Sequence, residues 1–177
     1  ETNRATARVL QANGCEVVVP RGQVCCGAIH YHSGSGAPAL TMARQNIEAF
    51  PDDLDAVIVN VAGCGSMLKD YGHMAAELDG VGSDAVDSLS RFAGRVKDVS
   101  EFLVELGLRA PPGEVPWRAT YHDACHLVHA QGVRDAPREL LSRVPGLELL
   151  ELPESEICCG AAGSYNLTEP EMADGLV

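Results

Sequence analysis

The pattern of apolar and polar positions along the chain alternates between helical and strand-like segments. Residues 3–12 and 37–49 read as helices, and the first ends at Asn13-Gly14, which is a helix-stop signal. Residues 56–61 form a near-continuous apolar run that is typical of a central parallel strand. Over the whole chain, the pattern predicts helices at 3–12, 37–49, 66–71, 84–93, 98–106, 135–144 and from 169, and strands at 15–19, 56–61, 118–122 and 147–152.

Strands that alternate with helices predict an α/β fold with parallel sheets. We expect two tandem pseudo-repeated units, each a small parallel sheet flanked by helices. The proline-rich segment 110–116 is the predicted boundary, which gives a first unit of residues 1–112 and a second of residues 113–177. In such sheets, sites form beyond the carboxyl ends of the strands, and the cysteines discussed below follow predicted strands.

An internal repeat supports the two units. Asn13 to Pro20, four further residues and Cys25-Cys26-Gly27-Ala28 match Gly146 to Pro153, four further residues and Cys158-Cys159-Gly160-Ala161. The spacing from proline to cysteine is identical in both copies, and self-similarity of this kind marks duplicated units.

The repeat also predicts cysteines that the chain does not contain. Cys125 precedes Cys158 by 33 residues, and Cys64 follows Cys25 by 39 residues, but the counterpart of each falls outside the chain. An intact unit would then carry four thiols. We interpret the chain as a fragment, because it lacks an initial Met and opens inside a helical pattern, and we expect this fragment to be apo or partly loaded with metal.

Charge and cysteine content narrow the function classes. The formal net charge of −12 argues against nucleic acid as a partner, because phosphate binding needs clustered Lys and Arg. The seven cysteines include adjacent pairs, which rarely form a disulfide with each other, and no signal-peptide pattern opens the chain. We therefore expect a reducing compartment and metal or redox chemistry. The expected location is the cytoplasm, with peripheral attachment to the inner face of the membrane left open.

The cysteines are the candidate metal ligands. Thiolates are soft ligands that favour iron–sulfur clusters, zinc or copper(I). The predicted ligands are Cys25, Cys26, Cys64, Cys125, Cys158 and Cys159. Around them, Gly27 and Gly160 would let the backbone approach a cluster, and His122 and His126 are candidate outer-shell groups. Cys15 lies inside a predicted strand without a counterpart in the second copy, so we interpret it as a packing residue.

Two other functions stay open on the residues alone. The thiols could hold a structural zinc ion in an interaction module, or a vicinal pair could catalyse thiol–disulfide exchange. No combination of nucleophile, base and orienting group stands out, so we assign no substrate catalysis to the chain.

Four segments carry a resemblance to a known family. They are Gln23–Ala28, Asn60–Lys69, Tyr121–Leu127 and Cys158–Leu167. Through them the chain resembles the glycolate oxidase iron–sulfur subunit family, within the wider cysteine-rich CCG group that also includes heterodisulfide reductase subunits and lactate-utilisation proteins.

The resemblance implies an iron–sulfur electron-transfer subunit of a complex that oxidises glycolate or another 2-hydroxy acid. The intact protein would carry a ferredoxin-like domain with two [4Fe–4S] clusters. Its implied partners are flavin subunits, which oxidise glycolate to glyoxylate, and a quinone acceptor at the membrane. Met67 stands where heterodisulfide reductase relatives have the last cysteine of a Cys-x-x-Cys, so the resemblance does not extend to their noncubane cluster.

Overall fold

The computed structural model describes residues 1–109, 113–158, 160 and 165–175. It contains two small parallel sheets of two strands, each flanked by helices, which confirms the predicted α/β class. The chain divides into two compact units, one formed by Val19–Lys97 and the other by Glu1–Val18 together with Asp98–Val177. The boundary predicted at residue 112 falls on residues 110–112, outside the described residues, and stays a prediction.

The unit Val19–Lys97 is mainly helical around a small sheet. Its elements are α2 (Ala28–His32), α3 (Gly36–Ala49), β1 (Val57–Val59), α4 (Ala62–Lys69), α5 (Tyr71–Glu77), α6 (Ser83–Ala93) and β2, which begins at Val96 and ends at Asp98. Tyr71, Met74 and Leu89 are fully buried in its core, and Phe92 is 1% exposed. The Phe92 ring stacks on Tyr71 at 5.9 Å between centroids. Aromatic packing of this kind buries large apolar area and fixes α5 against α6.

The other unit contains Glu1–Val18 and the chain from Asp98 onward. Its elements are α1 (Thr2–Ala12), α7 (Val99–Leu106), β3 (Arg118–Thr120), a π-helical turn (His126–Ala130), α8 (Ala136–Ser142), β4 (Glu148–Leu150), α9 (Tyr165–Thr168) and α10 (Pro170–Asp174). Strands β3 and β4 are parallel, and Arg118, Ala119 and Thr120 pair with Glu148, Leu149 and Leu150. A parallel pair needs a long crossover connection, which here includes the π-helical turn and α8.

One predicted strand is wrong. Residues 15–19 form no strand, and Val18 and Val19 are 47% and 68% exposed. A β-rich run forms a strand only when a neighbouring strand pairs with it and covers one face. The pair Cys25-Cys26 therefore does not follow a strand as expected. Cys64 also differs from the prediction, because it lies inside α4, which begins at Ala62, whereas the predicted helix begins at residue 66.

The helices are short. The longest, α3, has 14 residues, and within the described ranges none combines the length and the apolar character that crossing a bilayer requires.

Candidate metal centre

The first thiol-bearing region lies in the unit Val19–Lys97 and contains Cys25, Cys26 and Cys64. Cys25 is exposed, whereas Cys26 is 7% exposed and belongs to the hydrophobic core. Cys64 lies half-buried against the same core, and its thiol lies close enough to the Cys26 thiol to affect the pKa of Cys26. The fold therefore brings thiols from two distant segments together, while their role as metal ligands stays a prediction.

The surroundings keep the free Cys26 thiol protonated. Burial raises the pKa of Cys26 to about 12; the neighbouring Cys64 and Cys25 thiols add to the rise, and a backbone hydrogen bond with Ala28 opposes it. A neutral thiol is a poor nucleophile, because the thiolate is the species that attacks. Cys26 itself is therefore not a nucleophile in its free form, whereas a bound metal would displace the proton from its sulfur.

A buried polar network holds the backbone of the Cys25-Cys26 turn. Asn46 on α3 accepts a hydrogen bond from the Val24 N–H at 2.8 Å and donates to the Cys25 carbonyl at 3.2 Å. The same amide donates to the Tyr71 hydroxyl at 3.0 Å, and Tyr71 donates to the Cys26 carbonyl at 3.0 Å. Burial raises the pKa of Tyr71 well above its usual range, so the phenol keeps the proton that it donates.

The sequence pattern did not identify Asn46 and Tyr71 as residues of this region. The available signal was the spacing in α3, where Ala39, Ala43 and Asn46 lie three and four positions apart and all three are buried. An asparagine on the buried face of a helix needs hydrogen-bond partners, because an unsatisfied buried amide is costly. The pattern could therefore have marked Asn46 as a linking residue, although it could not have named the partners.

Both glycines that follow the cysteine pairs pack closely against a helix. Gly27 has φ +86°, and a Cβ there would lie 3.2 Å from the Cα of Ala39 on α3. Gly160 has φ +71°, and a Cβ there would lie 3.0 Å from the carbonyl oxygen of Ala173 on α10. A left-handed backbone and a close helix contact both favour glycine. The structure thus gives these positions a packing role, and their predicted contact with a cluster stays a prediction.

The second thiol-bearing region lies in the other unit. Cys125 is half-buried at the start of the π-helical turn, and its Sγ is 3.5 Å from Nδ1 of His126. The same turn carries His129, and these side chains line one surface pocket together with Ala130. Wide turns of this kind are frequent at functional sites. The 3.5 Å distance places the His126 ring beside Cys125, which is a predicted ligand.

A charged network fixes the segments that lead to Cys125 and Cys158. Arg138 on α8 donates two hydrogen bonds of 2.6 Å to the Asp123 carboxylate and one of 3.1 Å to Ser155 Oγ. Ser155 Oγ donates to Asp123, and the Asp123 N–H donates to the Ser155 carbonyl, each at 2.8 Å. The Arg138 hydrogen bonds lower the pKa of Asp123 to about 2, although burial opposes them. The guanidinium also lies 5.0 Å from the centroid of the Tyr121 ring.

The remaining predicted residues occupy varied positions. Cys158 is half-buried, and Cys159 lies outside the described residues, so the second ligand set is not described as a whole. His122 is exposed, which sets it apart from His126. Cys15 is half-buried after α1, and its N–H donates to the Leu10 carbonyl at 3.1 Å. Met67, at the position of the missing cysteine, is 3% exposed in the core.

The donor chemistry of the first region fits a thiolate-bound cluster. Its three candidate donors are all sulfur, and soft thiolates are the usual ligands of iron–sulfur clusters. Cys26 and Cys64 belong to or border the apolar core, which would shield such a group from water. Among the described residues, no group of three or more His, Cys, Asp and Glu side chains has the geometry of a single-ion site.

Comparison with known proteins supports this chemistry. The chain is 40% identical over 175 residues to the probable glycolate oxidase iron–sulfur subunit of Bacillus subtilis, covering 97% of this chain and 38% of that protein. It is 34% identical over 178 residues to lactate utilization protein A of Oceanobacillus iheyensis, covering 100% of this chain and 71% of that protein. It is 36% identical over 177 residues to a fumarate reductase (CoM/CoB) subunit of Methanothermobacter marburgensis, covering 99% of this chain and 33% of that protein.

The family model named cysteine-rich domain, CCG, matches residues 1–69 and 119–176. These two segments contain all six predicted cysteine ligands, and the glycolate oxidase resemblance noted from the sequence is confirmed. The chain belongs to the CCG cysteine-rich domain family, and its relatives include proteins of the glycolate oxidase and lactate utilisation type.

Proposed function

We propose that this chain is the cysteine-rich part of an iron–sulfur subunit that relays electrons during oxidation of a 2-hydroxy acid such as glycolate. The observation that carries the proposal is the approach of Cys64 to Cys26, beside Cys25, at the apolar core of the unit Val19–Lys97. The name of the Bacillus subtilis relative, an iron–sulfur subunit of a probable glycolate oxidase, points the same way.

In this proposal Cys25, Cys26 and Cys64 hold an iron–sulfur cluster, of the [4Fe–4S] type, and Cys125, Cys158 and Cys159 hold a second group. A bound cluster supplies one-electron transfer. Within the first set, the burial of Cys26 would exclude water from its sulfur. The exposed Cys25 lies where a partner protein can approach. Electrons would enter from a flavin subunit and leave toward a quinone at the membrane.

The metal assignment is tested with the full-length gene product, purified without oxygen and reconstituted with iron and sulfide. We expect broad visible absorption and acid-labile sulfide in amounts that match the bound iron. Cys64→Ser should lower the iron bound per chain, because it removes a sulfur beside Cys26.

Cys15→Ser is the matched control, since Cys15 is also half-buried but follows α1 in the other unit. It should bind as much iron as the unchanged protein. A colourless protein that contains zinc would contradict the redox assignment and favour a structural metal. Full iron content in Cys64→Ser would contradict the ligand assignment.

The proposed electron path needs a separate test. The protein, mixed with its flavin subunits, should be reduced by a 2-hydroxy acid and reoxidised by a soluble quinone, as followed by its visible spectrum. Glycolate and lactate should be compared directly, because relatives of both types match the chain. Failure of both acids to reduce an iron-loaded protein would contradict the proposed substrate class and leave the metal assignment intact.

A further inference from the structure

We infer that Asn46 and Tyr71 are positioning residues that fix the Cys25-Cys26 turn and thereby hold the Cys26 thiol toward Cys64. The hydrogen bonds of this inference stand on the structure alone. Its consequence for metal binding rests on the proposed function.

The identity of the bonded atoms fixes the direction of each hydrogen bond. The Val24 N–H can only donate, and the Cys25 carbonyl can only accept, so the Asn46 amide has one permitted orientation. The other Asn46 N–H points to the Tyr71 oxygen, which leaves the phenol proton free to bond the Cys26 carbonyl. Two side chains thus bond three consecutive backbone residues.

Each of the two side chains is itself anchored in the core. Asn46 is 3% exposed on α3, and Tyr71 is fully buried at the start of α5, where its ring stacks on Phe92. A satisfied polar network in a dry environment is rigid, because breaking any bond would strand a buried polar group. Because both side chains belong to packed helices, their hydrogen bonds fix the position of the turn relative to α3 and α5.

The turn depends on these bonds because regular structure does not support it. Residues 23–26 lie outside any helix or strand. Gly27 then takes a left-handed conformation and α2 begins, with the Tyr31 N–H donating to the Gly27 carbonyl at 3.0 Å. The segment before Gly27 has no repeating hydrogen-bond ladder, so individual side-chain bonds decide where its carbonyls and thiols lie.

Tyr71→Phe is the sharpest variant, because it removes one hydroxyl and keeps the ring that packs on Phe92. The readout is the rate at which iodoacetamide alkylates Cys26 in the metal-free protein, measured by mass spectrometry. We expect Cys26 to react about tenfold faster, since one lost buried hydrogen bond changes a local opening equilibrium by about that factor.

Asn46→Asp is a second variant with a different signature. A carboxylate can still accept from the Val24 N–H but cannot donate to the Cys25 carbonyl or the Tyr71 hydroxyl. We expect faster Cys26 alkylation while hydrogen exchange at the Val24 amide stays slow. A general loss of stability would speed both alkylation at Cys26 and hydrogen exchange at Val24, so a change in only one of them indicates a local effect.

Two matched controls separate positioning from global destabilisation. Tyr31→Phe deletes a hydroxyl in the same unit that bonds Glu77 and not the turn. Asn13→Asp alters an equally buried asparagine in the other unit, whose partners are Val9 and Arg109. Neither control should speed Cys26 alkylation. If Tyr71→Phe folds and leaves the rate unchanged, or if Asn13→Asp speeds it equally, the inference is overturned.

Iron loading connects the inference to metal binding. We expect Tyr71→Phe and Asn46→Asp to bind less iron per chain on reconstitution, while Tyr31→Phe loads like the unchanged protein. An unchanged protein that takes up no iron would refute the proposed function and leave the alkylation result standing. Normal iron loading by both Tyr71→Phe and Asn46→Asp would overturn the positioning role and leave the proposed function intact.

Discussion

Neutral side chains hold one of the two thiol-bearing regions, and charged side chains hold the other. In the first, a neutral amide and a phenol bind the backbone on both sides of the Cys25-Cys26 peptide, and no formal charge takes part. In the second, an arginine–carboxylate pair with a serine joins the segment before Cys125 to the segment before Cys158. We refer to these as the neutral lock (Asn46, Tyr71) and the charged lock (Asp123, Arg138, Ser155).

The sequence repeat does not extend to the two locks. Three positions before the first cysteine of each pair, the first copy has Gly22 where the second has Ser155. Glycine has no hydroxyl, so the Ser155 bonds of the charged lock have no counterpart at that position. A repeat can therefore preserve the spacing of the cysteines while different side chains hold each turn.

The largest effect should come from breaking the charged lock. Arg138→Met leaves the Asp123 carboxylate, whose side chain is 3% exposed, without its cationic partner. We expect a loss of roughly 2–4 kcal/mol in the free energy of unfolding, because an unpaired buried charge is costly. Urea unfolding measures the loss, and hydrogen exchange at the Asp123 amide should accelerate.

The double variant Asp123→Leu with Arg138→Met is the control for that interpretation. Replacing both partners by apolar groups should recover part of the stability, because no buried charge remains. If the double variant is less stable than Arg138→Met alone, the cost lies in lost packing and the electrostatic explanation is wrong.

Acid should weaken the charged lock and spare the neutral one. The folded pKa of Asp123 is about 2, below its ordinary value of 3.8, so its contribution is complete above the ordinary value and is lost as the pH falls through about 2. The difference corresponds to about 2 kcal/mol. Urea unfolding between about pH 5 and pH 2 should show this loss, and Asp123→Asn should flatten that part of the curve. An equal acid slope in Asp123→Asn would assign the effect to other carboxyl groups.

The glycines test a feature that the two regions share. Gly27→Ala and Gly160→Ala should each cost at least roughly 1–2 kcal/mol for the left-handed backbone, with a further cost from the helix contact. Gly34→Ala is the matched control, because Gly34 has φ +79° but open space around a built Cβ. Thermal unfolding should rank Gly34→Ala as the mildest of the three. Equal losses of stability in all three variants would show that the close approach to Ala39 and Ala173 does not contribute to the cost.

The smallest effect is expected at an exposed ion pair. Arg118 and Glu148 pair across β3 and β4 with a 3.1 Å separation, but their side chains are 71% and 61% exposed. Glu148→Gln should change the free energy of unfolding by less than about 1 kcal/mol, because water and salt screen such pairs. A loss as large as that of Arg138→Met would show that burial is not what distinguishes the charged lock.

The sequence predicted the longer elements well because their signals are local. The predicted helices at 3–12, 37–49 and 84–93 each match a helix of the structure to within two residues at either end. Apolar periodicity and end signals are properties of neighbouring residues, so a sequence window contains them. Strand β2 and helix α2 were not predicted, since segments of three and five residues carry too little pattern.

The strand predicted at residues 15–19 is wrong because strand formation depends on distant residues and not on local pattern alone. Their β-branched residues indicate a strand, but pairing requires a partner from elsewhere in the chain, which local pattern does not reveal. The same reason explains why Asn46 and Tyr71 escaped notice. They are 25 residues apart, and each lies about 20 or more residues from the turn that it bonds.

The sequence by itself determined the cysteine content, the spacing of the cysteine pairs, the α/β class and the family, because these depend on residue types and their order. Only the tertiary structure decided that the Cys64 thiol meets the Cys26 thiol, that one turn is held by neutral groups and the other segments by charges, and that both glycines lie against helices. Those outcomes depend on contacts between segments distant in the chain, and such contacts form only when the whole core is packed.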